Sequence, residues 1–254
     1  MAFLEVRNLG KTYVTRLGAC RVQALKDVSF SVEKGEFIAV MGESGSGKTT
    51  LLNILAALDR PGSGDVLLEG KSLSGIAEKE LAAFRRDNLG FVFQDFNLLD
   101  TFSVRDNILL PLVLKRIGIK QMEERLMPVV KQLGLAELLD KYPYELSGGQ
   151  KQRTAVGRAI ITSPALLLAD EPTGALDSHQ AQRLMELFCR LNGGGQTVIM
   201  VTHSVKAASY ASRVLFLRDG QVFHQLCRGD KSAFDMQGQI SDALSMVLAG
   251  EENE

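Results

Sequence analysis

Apolar and polar residues alternate through "FLEVRNL" (3–9) and "ALKDVSFSV" (24–32), the period-two pattern of strands with one buried face. "EFIAVMG" (36–42) and "ALLLADE" (165–171) are more continuously apolar, as central parallel strands are when both faces are covered. "GDVLLEG" (64–70), "LGFVFQD" (89–95) and "TVIMVTH" (197–203) predict further strands. "VLFLRDGQVFHQ" (214–225) predicts two short ones hinged at Asp219-Gly220, a hairpin dipeptide. Helical spacing runs through "KTTLLNILAAL" (48–58) and through "SVRDNILLPLVLKRIG" (103–118), which opens on a capping box of Ser103 and Asp106. It also runs through "KQMEERLMPVVKQLG" (120–134), where Pro128 predicts a kink or a boundary. The expectation is a mixed α/β core interrupted by a mostly helical lobe. In "ISDALSMVL" (240–248), Ile240, Ala243, Leu244, Val247 and Leu248 fall on one helical face. Packing on its own domain is favoured there over a partner-binding helix, and "GEENE" reads as a solvated end.

Composition narrows the field. The chain has 254 residues, 45% hydrophobic and 23% charged, with 29 Lys plus Arg against 30 Asp plus Glu. That balance gives no reason to expect nucleic acid or an anionic membrane as the main partner, although a local basic patch is compatible with it. No apolar run approaches the roughly eighteen residues a membrane span needs, and "MAFLEVRNLGK" lacks a basic start followed by an apolar signal core. A cytoplasmic protein is therefore expected. Cys20, Cys189 and Cys227 are odd in number and scattered, and read as free thiols rather than a zinc or disulfide set.

The candidate chemistry lies at the ends of the continuous strands. Gly42, Gly47, Lys48 and Thr49, in "GESGSGKTT" (42–50), fit G-x-x-x-x-G-K-[ST] with a strand before and a helix after. The glycines let backbone N–H groups of Gly42, Glu43, Ser44, Gly45, Ser46 and Gly47 turn around phosphate oxygens, helped by the helix amino end. Lys48 supplies charge to the β and γ phosphates, and Thr49 a hydroxyl to Mg²⁺. "ALLLADE" delivers Asp170 and Glu171 to the carboxyl edge of the sheet, Asp170 suited to holding Mg²⁺ through water and Glu171 to polarising an attacking water. Gln94, ending "GFVFQ", could reach the metal and that water; His203, ending "TVIMVTH", could reach the γ phosphate.

A second glycine motif, Ser147, Gly148, Gly149 and Gln150, opens another helix but has no lysine in the P-loop place. It can touch a phosphate without holding a nucleotide. Arg153 and Arg158 follow on that helix, where a solvated face is the plain reading.

"GESGSGKT", Gln94, "LSGGQ", "LLLADEP", "ALD" and His203 follow one another in an order that resembles the ATPase domain of ABC transporters, over at least residues 2–225. The resemblance implies a P-loop NTPase core with a mixed sheet (1–94 and 161–225), an antiparallel β subdomain within it, an inserted helical subdomain (95–160) and a C-terminal extension (226–254). It implies two chains stacked head to tail around two ATP, each between the P-loop of one chain and the LSGGQ of the other. Tyr13 then matches the aromatic residue that stacks on adenine, and Gly42, Gly45, Gly47, Lys48, Thr49 and Thr50 match the phosphate loop. Gln94 matches the lid coupled to the membrane partner, Asp170 the Mg²⁺ carboxylate, Glu171 the general base, Asp177 the loop exchanged across the dimer, and His203 the switch histidine. Gly174 stands where many relatives have serine.

The implied partner is a separate transmembrane permease. Phe96, Leu98, Leu99 and Phe102 either face it beside Gln94 or pack inside the helical lobe. "FVFQDFNLLDT", "DEPTGALDS" and a tail after "RGD" (228–230) look like the ATPases of bacitracin-type peptide-antibiotic export and resistance systems, whose permeases also inform a sensor kinase. Lipoprotein-release and macrolide-efflux ATPases share much of this pattern, and mechanical signalling without solute movement stays open. A soluble ABC protein acting on ribosomes or DNA is disfavoured: no second ATPase half, zinc module or coiled-coil arm is visible.

Overall fold

The computed structural model describes residues 2–14 and 21–249, the side chains of 246–249 excepted. In chain order the strands are β1 (Leu4–Val14), β2 (Arg21–Val32), β3 (Phe37–Met41), β4 (Ser63–Leu68), β5 (Lys71–Ser72), β6 (Leu89–Val92), β7 (Leu166–Asp170), β8 (Thr197–Val201), β9 (Arg213–Arg218) and β10 (Gln221–Cys227). The helices are α1 (Lys48–Leu55), α2 (Glu78–Asn88), α3 (Val104–Leu114), α4 (Ile119–Leu133), α5 (Gly148–Ile160), α6 (Ser178–Gly193), α7 (Val205–Ala208) and α8 (Ala233–Ala249).

Two sheets result. β2-β1-β4-β5 is antiparallel, and β10-β9-β3-β8-β7-β6 is mixed. In the mixed sheet β9, β3, β8, β7 and β6 run parallel, and only β10 runs against its neighbour. Strand side chains alternate between faces, and here both faces are covered. Phe37, Ala39, Met41, Leu167, Ala169, Val198, Met200, Val214 and Phe216 join the cluster shared with α3–α6. Their neighbours Ile38, Val40, Leu166, Leu168, Ile199, Val201, Leu215 and Leu217 join α1 and the antiparallel sheet. That is why these strands read as unbroken apolar runs. Each fully buried Leu, Val or Ile contributes about 1.5–3 kcal/mol, so the central strands are the best-anchored part of the chain.

Ser103 caps α3 through the expected box with Asp106, and the β9–β10 hairpin turns at Asp219 and Gly220, both at positive φ. Pro128 does not end a helix: α4 runs through it, and α3 likewise contains Pro111. On α8, Met236 and Ile240 are buried and Ala243 and Leu244 pack against the same cluster, so this helix covers its own domain. The side chains of Val247 and Leu248, the "GEENE" segment and Cys20 lie outside the described residues. Cys189 and Cys227 are free thiols.

Candidate nucleotide site

β3 is buried along its whole length and delivers the chain to Gly42 at the carboxyl edge of the sheet. The loop that follows is pressed against the fold behind it. A Cβ on Gly42 would lie 2.1 Å from the Leu217 carbonyl oxygen, and one on Gly47 2.3 Å from that of Ala24. Gly47 takes φ 103° and caps α1 with no side-chain acceptor, leaving the first amides of α1 open to an anion. The Gly220 amide donates to the Ser46 carbonyl (3.2 Å), tying the hairpin to the loop from behind. Glu43, Ser44, Gly45 and Thr49 are exposed. The Lys48 ammonium donates to the carbonyls of Gly42 (2.8 Å) and Glu43 (2.5 Å), so it rests across the loop mouth. Burial holds it below the usual lysine value, while Glu171, Asp170 and Glu43 pull it back up.

The strand order brings the carboxyl ends of β3, β8 and β7 side by side. Asp170 ends β7, and its carboxyl is pushed up by burial and by the Glu171 charge, with Lys48 opposing. Glu171 follows in the left-handed region at φ 42°, its amide held by the Val201 carbonyl (2.9 Å). Its carboxylate accepts from Thr202 Oγ1 (3.0 Å) and from the His203 amide (2.9 Å), and meets His203 Nδ1 at 2.8 Å. His203 itself stands two residues past β8 rather than at its end. With Gly42, Glu43, Ser44, Gly45 and Ser46 it lines a cavity of about 360 Å³ backed by Phe216, Phe223 and Leu244.

Gln94 likewise lies two residues beyond β6, in a turn. The sequence placed both residues at strand ends, but the ladders stop two residues earlier, at Val92 with Ala169 and at Val201 with Val40. A Cβ on Gly174 would stand 3.2 Å from the Gln94 amide, so the missing side chain at 174 makes room for Gln94 against the turn after Glu171.

Tyr13 is 41% exposed and held from its far end. Its hydroxyl donates to Asp59 Oδ2 (2.8 Å), and Lys11 Nζ sits 5.1 Å from the ring centroid while donating to Asp59 Oδ1 (2.6 Å) and the Arg60 carbonyl (2.7 Å). Burial alone would raise the Asp59 carboxyl, but the bonds from Lys11, Tyr13 and the Arg60 amide bring it below its ordinary value. The ring is thus fixed with an exposed surface.

Ser147 caps α5 in a full capping box with Gln150: the Gln150 amide donates to Ser147 Oγ (3.4 Å), and the Ser147 amide to Gln150 Oε1 (2.7 Å). Gly148 lies near Leu176 and the Ala175 carbonyl, and a Cβ on Gly149 would meet Gln180 Oε1 at 2.1 Å. Asp177 caps α6, accepting from the amides of His179 (3.0 Å) and Gln180 (2.9 Å). The structure therefore gathers the phosphate loop, Asp170, Glu171 and His203 at one edge, and sets Ser147, Gly148, Gly149, Gln150 and Asp177 together against α6.

Sequence reasoning missed the residues that join these groups. Gln152 is fully buried on α5, and its amide donates to the carbonyls of Pro172 (2.7 Å) and Phe93 (3.3 Å). Arg158, expected on a solvated face, instead donates to the carbonyls of Phe96 (2.9 Å) and Asn97, whose φ values are 61° and 48°. Its guanidinium is held below its ordinary value by burial. Gln152 shares helical spacing with buried Val156 and Ala159, a signal that marks an inward-facing polar residue. Nothing in the sequence marks Asp59, Lys11 or Arg158.

A profile of the ABC transporter family matches residues 25–174. Over 252 residues the chain is 50% identical to the ABC transporter ATP-binding protein YxdL of Bacillus subtilis (strain 168), covering 99% of this chain and 96% of that one. It is also 50% identical over 255 residues to the bacitracin export ATP-binding protein BceA of Halalkalibacterium halodurans, covering both chains completely. Among solved structures, the dimeric MJ0796 ABC transporter cassette superposes with a TM-score of 0.80 at 38% identity, over 88% of this chain and 98% of that one. The same cassette is known as a post-hydrolysis dimer bound to ADP and Pi. The chain belongs to the ABC transporter family, as an ATP-hydrolysing subunit.

Proposed function

We propose that two copies of the chain close head to tail around two ATP and drive a separate membrane permease that exports or detoxifies antimicrobial peptides. The observation that carries the shared site is the separation within one chain: the loop with Lys48 gathers with Asp170, Glu171 and His203, whereas Ser147–Gln150 packs against α6. In this reading Gly42–Thr50 wraps the phosphates, Lys48 meets the β and γ oxygens, and Tyr13 stacks on adenine. Glu171 takes a proton from the attacking water once Thr202 and His203 release its oxygens, and His203 then turns to the γ phosphate. Ser147, Gly148, Gly149, Gln150 and Asp177 act on the partner's nucleotide.

The residues at this edge fit Mg²⁺. Asp170 carries a carboxyl raised by burial and by a like charge, an environment a hard cation relieves. Thr49, Asp170 and Gln94 would hold the ion, and its charge would neutralise the β and γ phosphates.

The division into a nucleotide core (1–94 and 161–225), a helical subdomain (95–160) and an extension (226–254) is part of this proposal. So is the docking of the permease beside Gln94, which keeps the chain peripheral on the inner face of the membrane. Leu99 is 43% exposed, and Phe96, Leu98 and Phe102 belong to neither buried cluster. A nearby groove of about 340 Å³ is lined by Phe91, Phe93, Leu110, Pro111 and Leu114, apolar surface suited to a permease helix. The 50% identity to a bacitracin export subunit over the full length of both chains supports the peptide cargo; a link to a sensor kinase through the permease is part of the proposal.

Glu171→Gln tests the shared site: it should bind ATP, hydrolyse it about 10²–10⁴-fold more slowly and run as a dimer by light scattering. A monomer at saturating ATP would sink the proposal.

A further inference from the structure

Away from the nucleotide edge, the end of α4 and the outer faces of α5 and α6 border an open groove of about 330 Å³, in which Lys131, Arg183 and Arg190 are exposed. Lys131, Arg153, Arg183 and Arg190 line it, with Glu186 as the one carboxylate in its wall. None of these four cations makes an ion pair or a side-chain hydrogen bond among the described residues, and Gln182 already donates to Glu186 Oε1 (3.1 Å). Arg183, Glu186, Leu187 and Arg190 fall at i, i+3, i+4 and i+7 of one helix, so they share a face. The chain as a whole carries a formal charge of −1, so this concentration of positive charge is local.

An ordinary solvated face spreads its charges or pairs them. Here the fold does neither. Arg153 is only partly exposed, and its guanidinium is held below its ordinary value by burial and by the Arg183 charge. Two guanidinium groups facing one concavity offer planar donor forks, the geometry that matches phosphate oxygens two at a time.

We propose that this cleft binds a phosphate-class anion carrying two or more negative charges, held by Arg153 and Arg183 with Lys131 and Arg190 at the rim. Its volume is at the small end of ligand pockets, which suits a pyrophosphate or a single phosphorylated headgroup. A bound anion would pin α5 to α6. If the shared-site reading above holds, those are the two helices that present Ser147 and Asp177 to the partner's ATP, so occupancy would set their spacing. Binding itself does not depend on that reading.

The test uses the full chain carrying Lys48→Ala, to weaken the phosphate loop, with and without Arg183→Gln plus Arg190→Gln. Magnesium is omitted and ionic strength is matched with chloride. At tenfold its Kd, inorganic pyrophosphate should raise the melting temperature of Lys48→Ala by about 4 °C, and the added substitutions should abolish most of that rise. In the unsubstituted chain, the side-chain NMR resonance of Arg153 should move with the same titration. No rise, an equal rise in both variants, or an unmoved Arg153 resonance would overturn the proposal. Phosphatidylglycerol vesicles distinguish the source. Sedimentation lost with the two arginines identifies a headgroup, and a pyrophosphate response without vesicle binding identifies a soluble phosphate. Poly-glutamate binding as tightly as pyrophosphate would overturn the phosphate class in favour of an acidic protein segment.

Discussion

Two helices of this molecule begin at glycine-rich turns, and they treat their free amides in opposite ways. α1 is capped by left-handed Gly47 with no side-chain acceptor, so its amino end is left open. α5 is capped by Ser147, and Gln150 closes the box from the other side. The first end is incomplete without an anion, and it has Lys48, Asp170 and Glu171 around it. The second has its Gln150 amide accepted by Ser147 Oγ and is set among α6 and the 175–176 loop. Similar local sequence thus gives one helix end with no side-chain cap and one closed by a capping box. That is why the proposed reading gives the first the nucleotide and the second a part in a site brought to it.

The largest break in that contrast should come from Lys48→Ala. Removing the charge at the open turn is expected to lower ATP turnover about 10²–10³-fold, measured by phosphate release; near-normal turnover would contradict the role given to Lys48. Next comes Gly149→Ala at the closed turn. Its new methyl must displace the Gln180 amide 2.1 Å away. Turnover should fall by up to about 10²-fold while monomeric ATP affinity, read by fluorescence of a labelled nucleotide, stays the same. A parallel loss of affinity would mean that the turn serves its own chain's nucleotide.

Gln152 joins the two regions, so Gln152→Leu sharpens the comparison through stability. Leaving the carbonyls of Phe93 and Pro172 without their donor should cost about 1–2 kcal/mol, partly offset because Gln152 Oε1 is buried without a partner among the described residues. Urea unfolding checks this, and an unchanged midpoint would show that the link contributes nothing.

The smallest effect is one of pH. The Asp170 carboxyl is raised by burial and by Glu171, so the folded state binds this proton more tightly than the unfolded chain. Stability from this group is present below the unfolded carboxyl value and is lost as pH rises through the folded one. Asp170→Asn removes that dependence. Its nucleotide-free melting temperature should therefore gain on the wild type as pH rises through the folded pKa, and a difference constant with pH would count against the shift.

How far the sequence reached depended on the range of the physics. The central strands were legible because burial on both faces leaves an unbroken apolar run, as in β3 and β7. The capping box at Ser103 and the Asp219-Gly220 turn were legible because each is settled within a few residues. Strand ends were less so: Phe93 after Val92 and Thr202 after Val201 are both compatible with a strand, but pairing stops before them, so Gln94 and His203 each stand two residues beyond their strands. Of the two outcomes Pro128 allowed, a boundary is absent, since α4 continues through it.

By itself the sequence determined the central strands, the glycine-rich loop between β3 and α1 and the carboxylates at the end of β7, because these follow from spacing along the chain and from the few residues that can turn a backbone tightly; α2 and α6 were not read from it. Only the tertiary structure decided which groups meet. Asp59 holds Tyr13 from 46 residues away, Arg158 holds the bend at Phe96 and Asn97, and Lys131, Arg153, Arg183 and Arg190 converge on one cleft from three helices. Hydrogen bonds and charge act through space, and the distances that govern them exist only once the sheets and helices have packed.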